Sequence, residues 1–338
     1  MGSSGWQIAP YHPEMAAAWD AVTEAANGGT IMQSRRFLDY HGDRFRDLSL
    51  VGRRGAASSG AASSGAAISA VLPMAADPKQ PDRAISHPGT SFGGLISLAR
   101  DPAHARAFLR EAAARLLAQG YTRLLYRPPP SAVLRQADDG LLPDLLRIGD
   151  LVQMDLCAVL TLPGAERAYW QSEIRRAARK GLRADPVSSP AHWAELHHLL
   201  SGRLDRKYGK ALVHSVAELV DLHQRLASQS RGQIIRDAAG GALAGQWFID
   251  YGTGVLHNQY NGATDDGLAL GASSYGISLA LERAVTEGFR AFSFGRSTAG
   301  DGWTENRALQ RFKSGFGAGL AAQFHIDLSL DRLAQLRE

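Results

Sequence analysis

Residues 292–318 read FSFGRSTAGDGWTENRALQRFKSGFGA, and this stretch joins a strand, a turn and a basic segment. The apolar run Ala291 to Phe294 is typical of a buried strand, and the glycine-rich residues after it predict a turn. In the basic segment, Phe312 precedes Lys313 and Phe316 follows it three residues later. Lys313 is one of five lysines in a chain with 32 arginines, so it stands out at this place.

The segments before this stretch predict the same order of elements twice. In the first half, alternation and helical periodicity predict helices over 14–27, 35–44 and 100–119, and strands over 47–52, 67–74 and 121–126. In the second half they predict strands over 151–161, 233–237, 242–251, 254–260 and 291–294, and helices over 168–181, 191–204, 215–229 and 274–288.

Both halves thus show helices, an antiparallel meander, one long helix and a further strand. This order predicts an α+β protein built from a tandem repeat of one module, with the boundary between Pro143 and Leu151. The low-complexity insert Gly55 to Gly65, in which AASSG recurs, is interpreted as a flexible loop between two hairpin strands.

Length and composition narrow the class of protein. A chain of 338 residues is long enough for two domains. It has no apolar run near the roughly 18 residues that a membrane-spanning helix needs, and no basic segment followed by an apolar stretch at its start. We therefore expect no integral membrane association and a cytoplasmic location.

The residues that carry common enzyme chemistry are mostly missing. Cys157 is the only cysteine, which excludes an internal disulfide, a CxxC pair and a zinc site with several thiolates, and its apolar surroundings predict a buried thiol. The eleven histidines form no HExxH motif, and neither GxSxG nor GxxxxGK[ST] occurs. We expect no metal and no cofactor. The absence of these motifs argues against a hydrolase or a kinase.

Two basic clusters are candidates for binding phosphate in a chain whose net charge is only +4. A helix over 173–183 would align Arg175, Arg179 and Arg183 as one stripe, with Arg176 and Lys180 alongside and Gly181 as its end. The second cluster contains Arg203, Arg206 and Tyr208. The alternative for each cluster is an ordinary solvated helix face.

The loop Asn261 to Ser274 lies between a strand and a long helix and is rich in glycine. Such a loop can present backbone N–H groups to an anion at the start of a helix. A capped helix start explains Ser273 and Ser274 equally well.

Several stretches together resemble one family. The string Phe292 to Ala318 resembles the terminal signature of the Fem-type aminoacyl and peptidyl transferases of the GNAT superfamily. RFLDYHGDRFRDLSL (36–50), SHPGTSFGGL (86–95) and EIRRAARKGLRAD (173–185) are similar to successive landmarks of that family. The resemblance covers most of the chain.

The resemblance implies a fold of two tandem GNAT-like modules with central mixed β-sheets. Residues 1–147 would form the first module and residues 148–317 the second. The C-terminal segment, about 318–338, would return to complete the first module.

The resemblance also implies an acyltransferase that moves an aminoacyl group from aminoacyl-tRNA to the amine of a small molecule or peptide. The Phe-Lys pair of the family matches Phe312 and Lys313, which implies that Lys313 stabilises negative charge developing at the donor ester. Candidates for binding the donor are Arg296, Ser297 and Asn306, with Arg175, Arg179 and Lys180 for its phosphates. Candidates for binding the acceptor are Arg35, Arg36, Arg203, Arg206 and Tyr208.

Two departures from the family leave the donor open. No heptad stretch matches the coiled-coil arm of some Fem proteins, and the coenzyme A loop of ordinary GNAT enzymes is not cleanly present at 265–272. One alternative is a GNAT-type N-acyltransferase that uses acyl-coenzyme A or an acyl carrier protein, and another is a non-enzymatic binding scaffold. The sequence identifies neither the transferred group, nor the acceptor, nor a general base.

Overall fold

The computed structural model describes residues 5–54, 67–164, 170–209, 211–300 and 302–336. The predicted insert Gly55 to Gly65 lies outside these residues. The chain divides into two compact units. Unit 1 comprises Met1–Asp155, Gly300–Trp303 and Ala322–Glu338, and unit 2 comprises Leu156–Ala299 and Thr304–Ala321.

Unit 1 contains two groups of strands with helices. The strands, numbered along the chain, are β1 (Trp6–Pro10), β2 (Leu50–Arg54), β3 (Ile68–Leu72), β4 (Ala75–Ala76), β5 (Arg83–Ile85), β6 (Ile96–Ser97), β7 (Arg123–Tyr126) and the later part of β14 (Gly319–Ser329). The helices are α1 (Ala16–Ala25), α2 (Arg35–Leu38), α3 (Pro102–Leu117), α4 (Leu142–Ile148) and α11 (Leu330–Ala334). One group has the strand order β1-β2-β3-β6 and is antiparallel, and the other runs β4-β5-β7-β14.

The core of unit 1 forms around helix α3. Phe108 of α3 is fully buried and meets the ring of Trp6 edge-on at 5.4 Å between centroids. Gly52 of β2 allows this contact, because a Cβ there would lie 2.6 Å from the Phe108 ring. A side chain at position 52 would therefore push α3 away from the sheet.

The C-terminal segment completes unit 1, as predicted. Strand β14 pairs antiparallel with β7, with Ile326 opposite Tyr126 and Ser329 opposite Arg123. Helix α11 follows and packs against α3, and Leu333 is fully buried there. These contacts join the last residues of the chain to its N-terminal module.

Unit 2 is built on one continuous run of strands. They are the later part of β8 (Gly149–Thr161), β9 (Arg183–Pro186), β10 (Ser230–Arg236), β11 (Ala242–Asp250), β12 (Val255–Ala263) and β13 (Ala291–Arg296). The helices are α5 (Gln171–Arg179), α6 (Pro190–Tyr208), α7 (Val216–Leu226), α8 (Asp265–Leu270), α9 (Ala272–Thr286) and α10 (Arg307–Ser314). The order is β8-β13-β12-β11-β10-β9, in which only the β12–β13 pair is parallel.

Helices cover both faces of the unit 2 sheet. Successive residues of a strand point to opposite faces, and Gly245 and Gln246 of β11 show which helix lies on each. A Cβ at Gly245 would lie 2.5 Å from Leu196 of α6, whereas Gly276 of α9 approaches the Gln246 side chain. Helix α6 therefore packs on one face and α9 on the other, and α9 connects the parallel strands β12 and β13.

The predicted α+β class with tandem modules and mixed sheets is confirmed. Each unit has helices, an antiparallel meander, a long helix and a further strand. The predicted helix over 35–44 is wrong in its second half, because α2 ends at Leu38. Tighter turns follow, and Gly42 has a positive φ of 52° that no continuous α-helix accepts.

Two further predictions of local structure are wrong. Helix α5 ends before Gly181, which has a φ of 75°, so Arg183 lies on β9 rather than on the helix with Arg175 and Arg179. The predicted glycine loop after β12 contains helix α8, whose first turn is capped by the Thr264 hydroxyl accepting from the Gly267 amide.

Replacing Gly52 with Ala should lower the free energy of unfolding of unit 1 by about 1–3 kcal/mol, because the new methyl group overpacks the Phe108 ring. Urea denaturation followed by tryptophan fluorescence measures this change. Gly300→Ala is the matched control, since nothing lies within 4 Å of a Cβ at that position. Equal stability of the two variants would contradict the proposed close approach.

Candidate active site

The candidate site lies in unit 2, where β13 ends and the chain turns back into α10. The Ser297 amide donates to the Leu156 carbonyl of β8 at 2.6 Å, which anchors the end of β13. The Asn306 amide donates to the Ser297 carbonyl at 2.9 Å, and the Asn306 Oδ1 accepts from the Leu309 amide at 3.1 Å. These bonds hold the start of α10 beside the end of β13.

Lys313 of α10 is buried and points its amine at the end of β13. Lys313 is 4% exposed to solvent. The Nζ donates to the Gly295 carbonyl at 2.9 Å and to the Arg296 carbonyl at 2.5 Å. The Phe-Lys pair identified in the sequence thus places one amine on two backbone carbonyls.

A bulge in β13 makes this contact possible. Carbonyls of successive residues in a regular strand point in opposite directions, so one amine cannot reach both. The register between β13 and β8 shifts between Ser293 and Gly295, and Gly295 has a positive φ of 66°. Glycine adopts this conformation readily, and the bulge turns both carbonyls toward Lys313.

Burial dominates the electrostatics of the amine. Removal from water lowers the pKa of Lys313 from 10.5 to about 7, the Cys157 thiol opposes the shift, and the Arg296 guanidinium adds to it. Cys157 stands opposite Arg296 in the β8–β13 ladder and is buried, as the sequence predicted. Lys313 therefore populates both its charged and its neutral form near pH 7.

His257 of β12 lies on the other side of the bulge. Burial and the Lys313 charge lower the pKa of His257 to about 3, so the imidazole is neutral at pH 7. Its Nδ1 is 3.1 Å from the Ser293 hydroxyl, and its ring stacks on Tyr251 with centroids 4.8 Å apart. A Cβ at position 295 would lie 3.0 Å from the His257 ring, so close packing against this ring is a second reason why position 295 is a glycine.

Strands β12 and β13 separate beyond this point. Their parallel pairing covers only Val255 to His257 and Ala291 to Ser293. The Phe312 carbonyl of α10 accepts from the Trp170 indole at 3.0 Å. The Phe312 and Trp170 rings are 5.6 Å apart, so aromatic contacts fix the residue that precedes Lys313.

A cavity of about 400 Å³ adjoins Phe312. Its apolar walls come from α6, α8 and α10 and the loop after α6: Leu200, Leu204, Leu212, Leu268, Leu309 and Phe312. Arg203, Tyr260, Asn261 and Ser273 supply its polar lining. The structure thus brings the predicted residues Phe312 and Arg203 to one pocket, whereas the side chains of Arg206 and Tyr208 lie outside the described part of the chain.

The basic residues of the first cluster are exposed at α5 and its end. Arg175 donates to Gln171 one turn earlier, and Arg179 and Lys180 are exposed at the end of the helix. Arg176 donates to the Ala269 carbonyl at 3.1 Å. The stripe is therefore shorter than predicted, because it lacks Arg183.

The two arginines predicted to bind the acceptor in unit 1 differ from each other. Arg35 is 3% exposed, donates to Asp47 at 2.6 Å and stacks on the rings of Tyr11 and Trp19 at 3.4 and 4.2 Å. The guanidinium of Arg35 is therefore enclosed in the core, and its role in binding the acceptor stays a prediction. Arg36 is partly exposed and forms ion pairs with Asp20 and Glu24.

The three residues near β13 that are predicted to bind the donor substrate also differ from one another in exposure and contacts. Arg296 is exposed, whereas Ser297 is fully buried and its hydroxyl has no hydrogen-bond partner among the described residues. Asn306 caps α10, which gives it a structural role at the start of that helix.

The sequence did not single out the neighbours of Lys313. His257 and Tyr251 lie on β12 and in the turn before it, and no motif marks them in VLHNQY or its surroundings. Only the pairing of β12 with β13 brings them to the bulge. The part of the chain that the structure describes has no group of three or more His, Cys, Asp or Glu side chains that could hold a metal, and none of its helices meets the length and apolarity of a membrane span.

The fold and the site define a protein with the tandem GNAT fold. Residues 168–314 match the model of the acetyltransferase (GNAT) domain. The resemblance to the Fem-type transferases is confirmed at the level of the fold, because a structure of FemX aligns over 98% of this chain and 99% of its own, with a TM-score of 0.68 and 11% identity.

Two other solved structures share this architecture. L-PGS from Bacillus licheniformis aligns over 97% of this chain and 98% of its own, with a TM-score of 0.59 and 14% identity. A tandem GNAT protein from the clavulanic acid biosynthesis pathway covers 96% and 98%, with a TM-score of 0.55 and 11% identity. No curated protein matches the sequence.

Lys313→Met should change how stability depends on pH. Since burial lowers the pKa of Lys313 from 10.5 to about 7, the unfolded state binds more protons than the folded state between those values. The stability of the wild type therefore rises with pH across this window, and charging the buried amine below it costs on the order of 5 kcal/mol. The variant should lack this rise.

Urea denaturation at pH 7 and pH 10 measures the difference. The free energy of unfolding of Lys313→Met minus that of the wild type should decrease between pH 7 and pH 10. Loss of the two hydrogen bonds lowers the stability of the variant at both pH values. Lys79→Met is the matched control, because Lys79 is exposed. A pH dependence that is the same in wild type and Lys313→Met would refute a buried, destabilised ammonium.

Proposed function

We propose that this protein is an aminoacyltransferase that moves an aminoacyl group from aminoacyl-tRNA to an amine acceptor, either a peptidoglycan precursor or a natural-product intermediate. The observation that carries the proposal is the buried Lys313 amine held on the bulge of β13, in a fold shared with FemX. The GNAT acyltransferase domain over 168–314 supports acyl transfer as the type of reaction.

A cation or a fixed hydrogen-bond donor near the reacting ester stabilises the transition state of this chemistry. The acceptor amine attacks the ester carbonyl carbon, a C–N bond forms, and a tetrahedral oxyanion develops. The C–O bond to the tRNA ribose then breaks, and the amine proton leaves with the ribose hydroxyl. A fixed donor aimed at the oxyanion is worth roughly 3 kcal/mol, or about a hundredfold in rate.

The hydrogen bonds of Lys313 explain why the charged form of the amine is the one suited to this role. An ammonium has three N–H donors, and two of them serve the Gly295 and Arg296 carbonyls. The third remains for the oxyanion. A neutral amine has only two N–H groups, so it can satisfy the carbonyls but has no further donor.

The region around the start of α9 argues against coenzyme A as the donor. Asp265 and Asp266 occupy the first turn of α8, where an ordinary GNAT enzyme has its pyrophosphate loop. Glu173 also lies against Gly271, with its carboxylate 2.8 Å from an ideal Cβ at the start of α9. Asp265 and Asp266 would repel a pyrophosphate bound at the first turn of α8, and Glu173 would repel one bound at the start of α9.

Exposed arginines support an RNA donor instead. Arg175, Arg179 and Lys180 are exposed on one short segment of unit 2, and clustered cations are what sequence-independent contact with a phosphate backbone needs. Arg36 on unit 1 is partly exposed and stays a candidate for binding an anionic group of the acceptor.

The alternative is a GNAT-type N-acyltransferase that takes its acyl group from acyl-coenzyme A or an acyl carrier protein. The observation in its favour is the match of residues 168–314 to an acetyltransferase domain. Saturable binding of coenzyme A would favour this alternative.

The ratio of kcat/KM of the wild type to that of Lys313→Met should be constant below pH 7 and fall above it, because the charged form is lost through a pKa of about 7. Transfer from charged tRNA to an amine is measured across the pH range, and the ratio cancels the ionisation of the acceptor. At low pH the variant should be about a hundredfold slower. A ratio that rises with pH would show that Lys313 acts as a base instead.

Binding of an aminoacylated acceptor-stem RNA should require the α5 arginines. We expect Arg175→Ala/Arg179→Ala to weaken binding and to reduce the slope of log K against log[salt] by about 2, since two phosphate contacts are lost. Fluorescence anisotropy at several salt concentrations measures both effects.

Arg225→Ala/Arg231→Ala is the matched control for this experiment, because it removes two positive charges of unit 2 elsewhere. It should leave the salt slope near the wild-type value. Absence of RNA binding by the wild type, or displacement of the RNA by coenzyme A, would transfer support to the thioester-dependent alternative.

A further inference from the structure

The residues that line the 400 Å³ cavity beside Phe312 determine which chemical groups can bind in it. We infer that it binds the side chain of the transferred aminoacyl group, and that it selects a large, uncharged, apolar side chain such as leucyl or phenylalanyl. This inference rests on the proposed aminoacyl transfer and adds the class of the donor to it.

Apolar side chains form most of the cavity wall, and Arg203, Tyr260, Asn261 and Ser273 form the rest. Leu200 and Ala263 line the cavity and are buried. Leu268 lies at the rim and is 41% exposed. A leucyl or phenylalanyl side chain would cover this surface, and each buried methylene adds about fourfold to affinity, which corresponds to about 0.8 kcal/mol.

The size of the cavity disfavours small side chains. A glycyl or alanyl group would leave most of the 400 Å³ unfilled, and the walls would lose their contacts on that side. Gly262 of β12 lines the cavity beneath α6, and a Cβ there would lie 3.0 Å from the backbone of Leu199 and Leu200. This part of the lining is therefore fixed by backbone packing.

Charge excludes a further group of side chains. Among the described residues that line the cavity, Arg203 carries the one charge and none is a carboxylate. A lysyl or arginyl side chain would meet a like charge without a counter-ion. Polar side chains gain little from the Tyr260 hydroxyl, because it is already within 2.7 Å of the His214 imidazole.

The cavity also adjoins the helix that carries Lys313. Phe312 forms part of its wall and directly precedes Lys313, and the Trp170 indole holds the Phe312 carbonyl. A side chain seated in the cavity would therefore leave its own ester carbonyl next to the helix that carries the Lys313 ammonium. Binding of the side chain and positioning of the ester become one event.

Stable donor analogues test the inference directly. Compounds of 3′-aminoacylamino-3′-deoxyadenosine, in which an amide replaces the ester, are prepared with leucine, phenylalanine, alanine and lysine and titrated into the full chain by calorimetry. We expect the leucyl compound to bind on the order of 50-fold more tightly than the alanyl compound, which has three fewer carbons. The lysyl compound should bind at least about tenfold more weakly than the leucyl one.

One substitution fills the cavity. Ala308 lines the cavity from α10 and is exposed, so Ala308→Phe adds a ring without disturbing the core. It should weaken binding of the leucyl compound by at least about tenfold and leave the alanyl compound unchanged. Val213→Phe is the matched control, since Val213 is 76% exposed and does not line the cavity. Circular dichroism confirms that both variants are folded.

The outcomes separate this inference from the proposed function. Equal or tighter binding of the alanyl or lysyl compound, or equal weakening of all compounds by Ala308→Phe, overturns the assignment of the cavity. Transfer from aminoacyl-tRNA would in that case still support the proposed function. Absence of transfer from every aminoacyl-tRNA, together with transfer from an acyl-coenzyme A, overturns the function and with it the assignment.

Discussion

The contact between the Lys313 amine and two successive carbonyls at the end of β13 is the constraint on which the site depends. It requires the bulge at Gly295, because a regular strand would turn one of the carbonyls away. It also requires α10 to start beside β13, which the Asn306 cap and the Ser297 backbone secure. The lowered pKa of Lys313 follows from the same burial, so geometry and reactivity have one cause.

A second feature of unit 2 is the distribution of charge over α5, α8 and α9. The first turns of α8 and α9 carry or face Asp265, Asp266 and Glu173, and α5 presents Arg175 and Arg179 to solvent. In the proposed function these carboxylates disfavour coenzyme A, and the exposed arginines are proposed to contact an RNA backbone.

The sequence predicted the long elements well, and the reason is periodicity. Helix α3 and strands β11 and β12 carry their own patterns, so their bounds were found within a few residues. Short strands such as β5 and β9 were missed, because pairing partners far along the chain stabilise them. Lys313 was found through its motif, whereas His257 and the enclosure of Arg35 follow from tertiary packing that no local pattern records.

The return of β14 to unit 1 has a consequence for how the polypeptide is made. Tyr126 of β7 pairs with Ile326, so an N-terminal module waits for nearly the whole chain before its sheet is complete. During synthesis at about 5–20 residues per second, β7 exposes an unpaired edge for roughly 10–40 s, whereas the strands of unit 2 emerge close together in time. The module made first is therefore the one finished last.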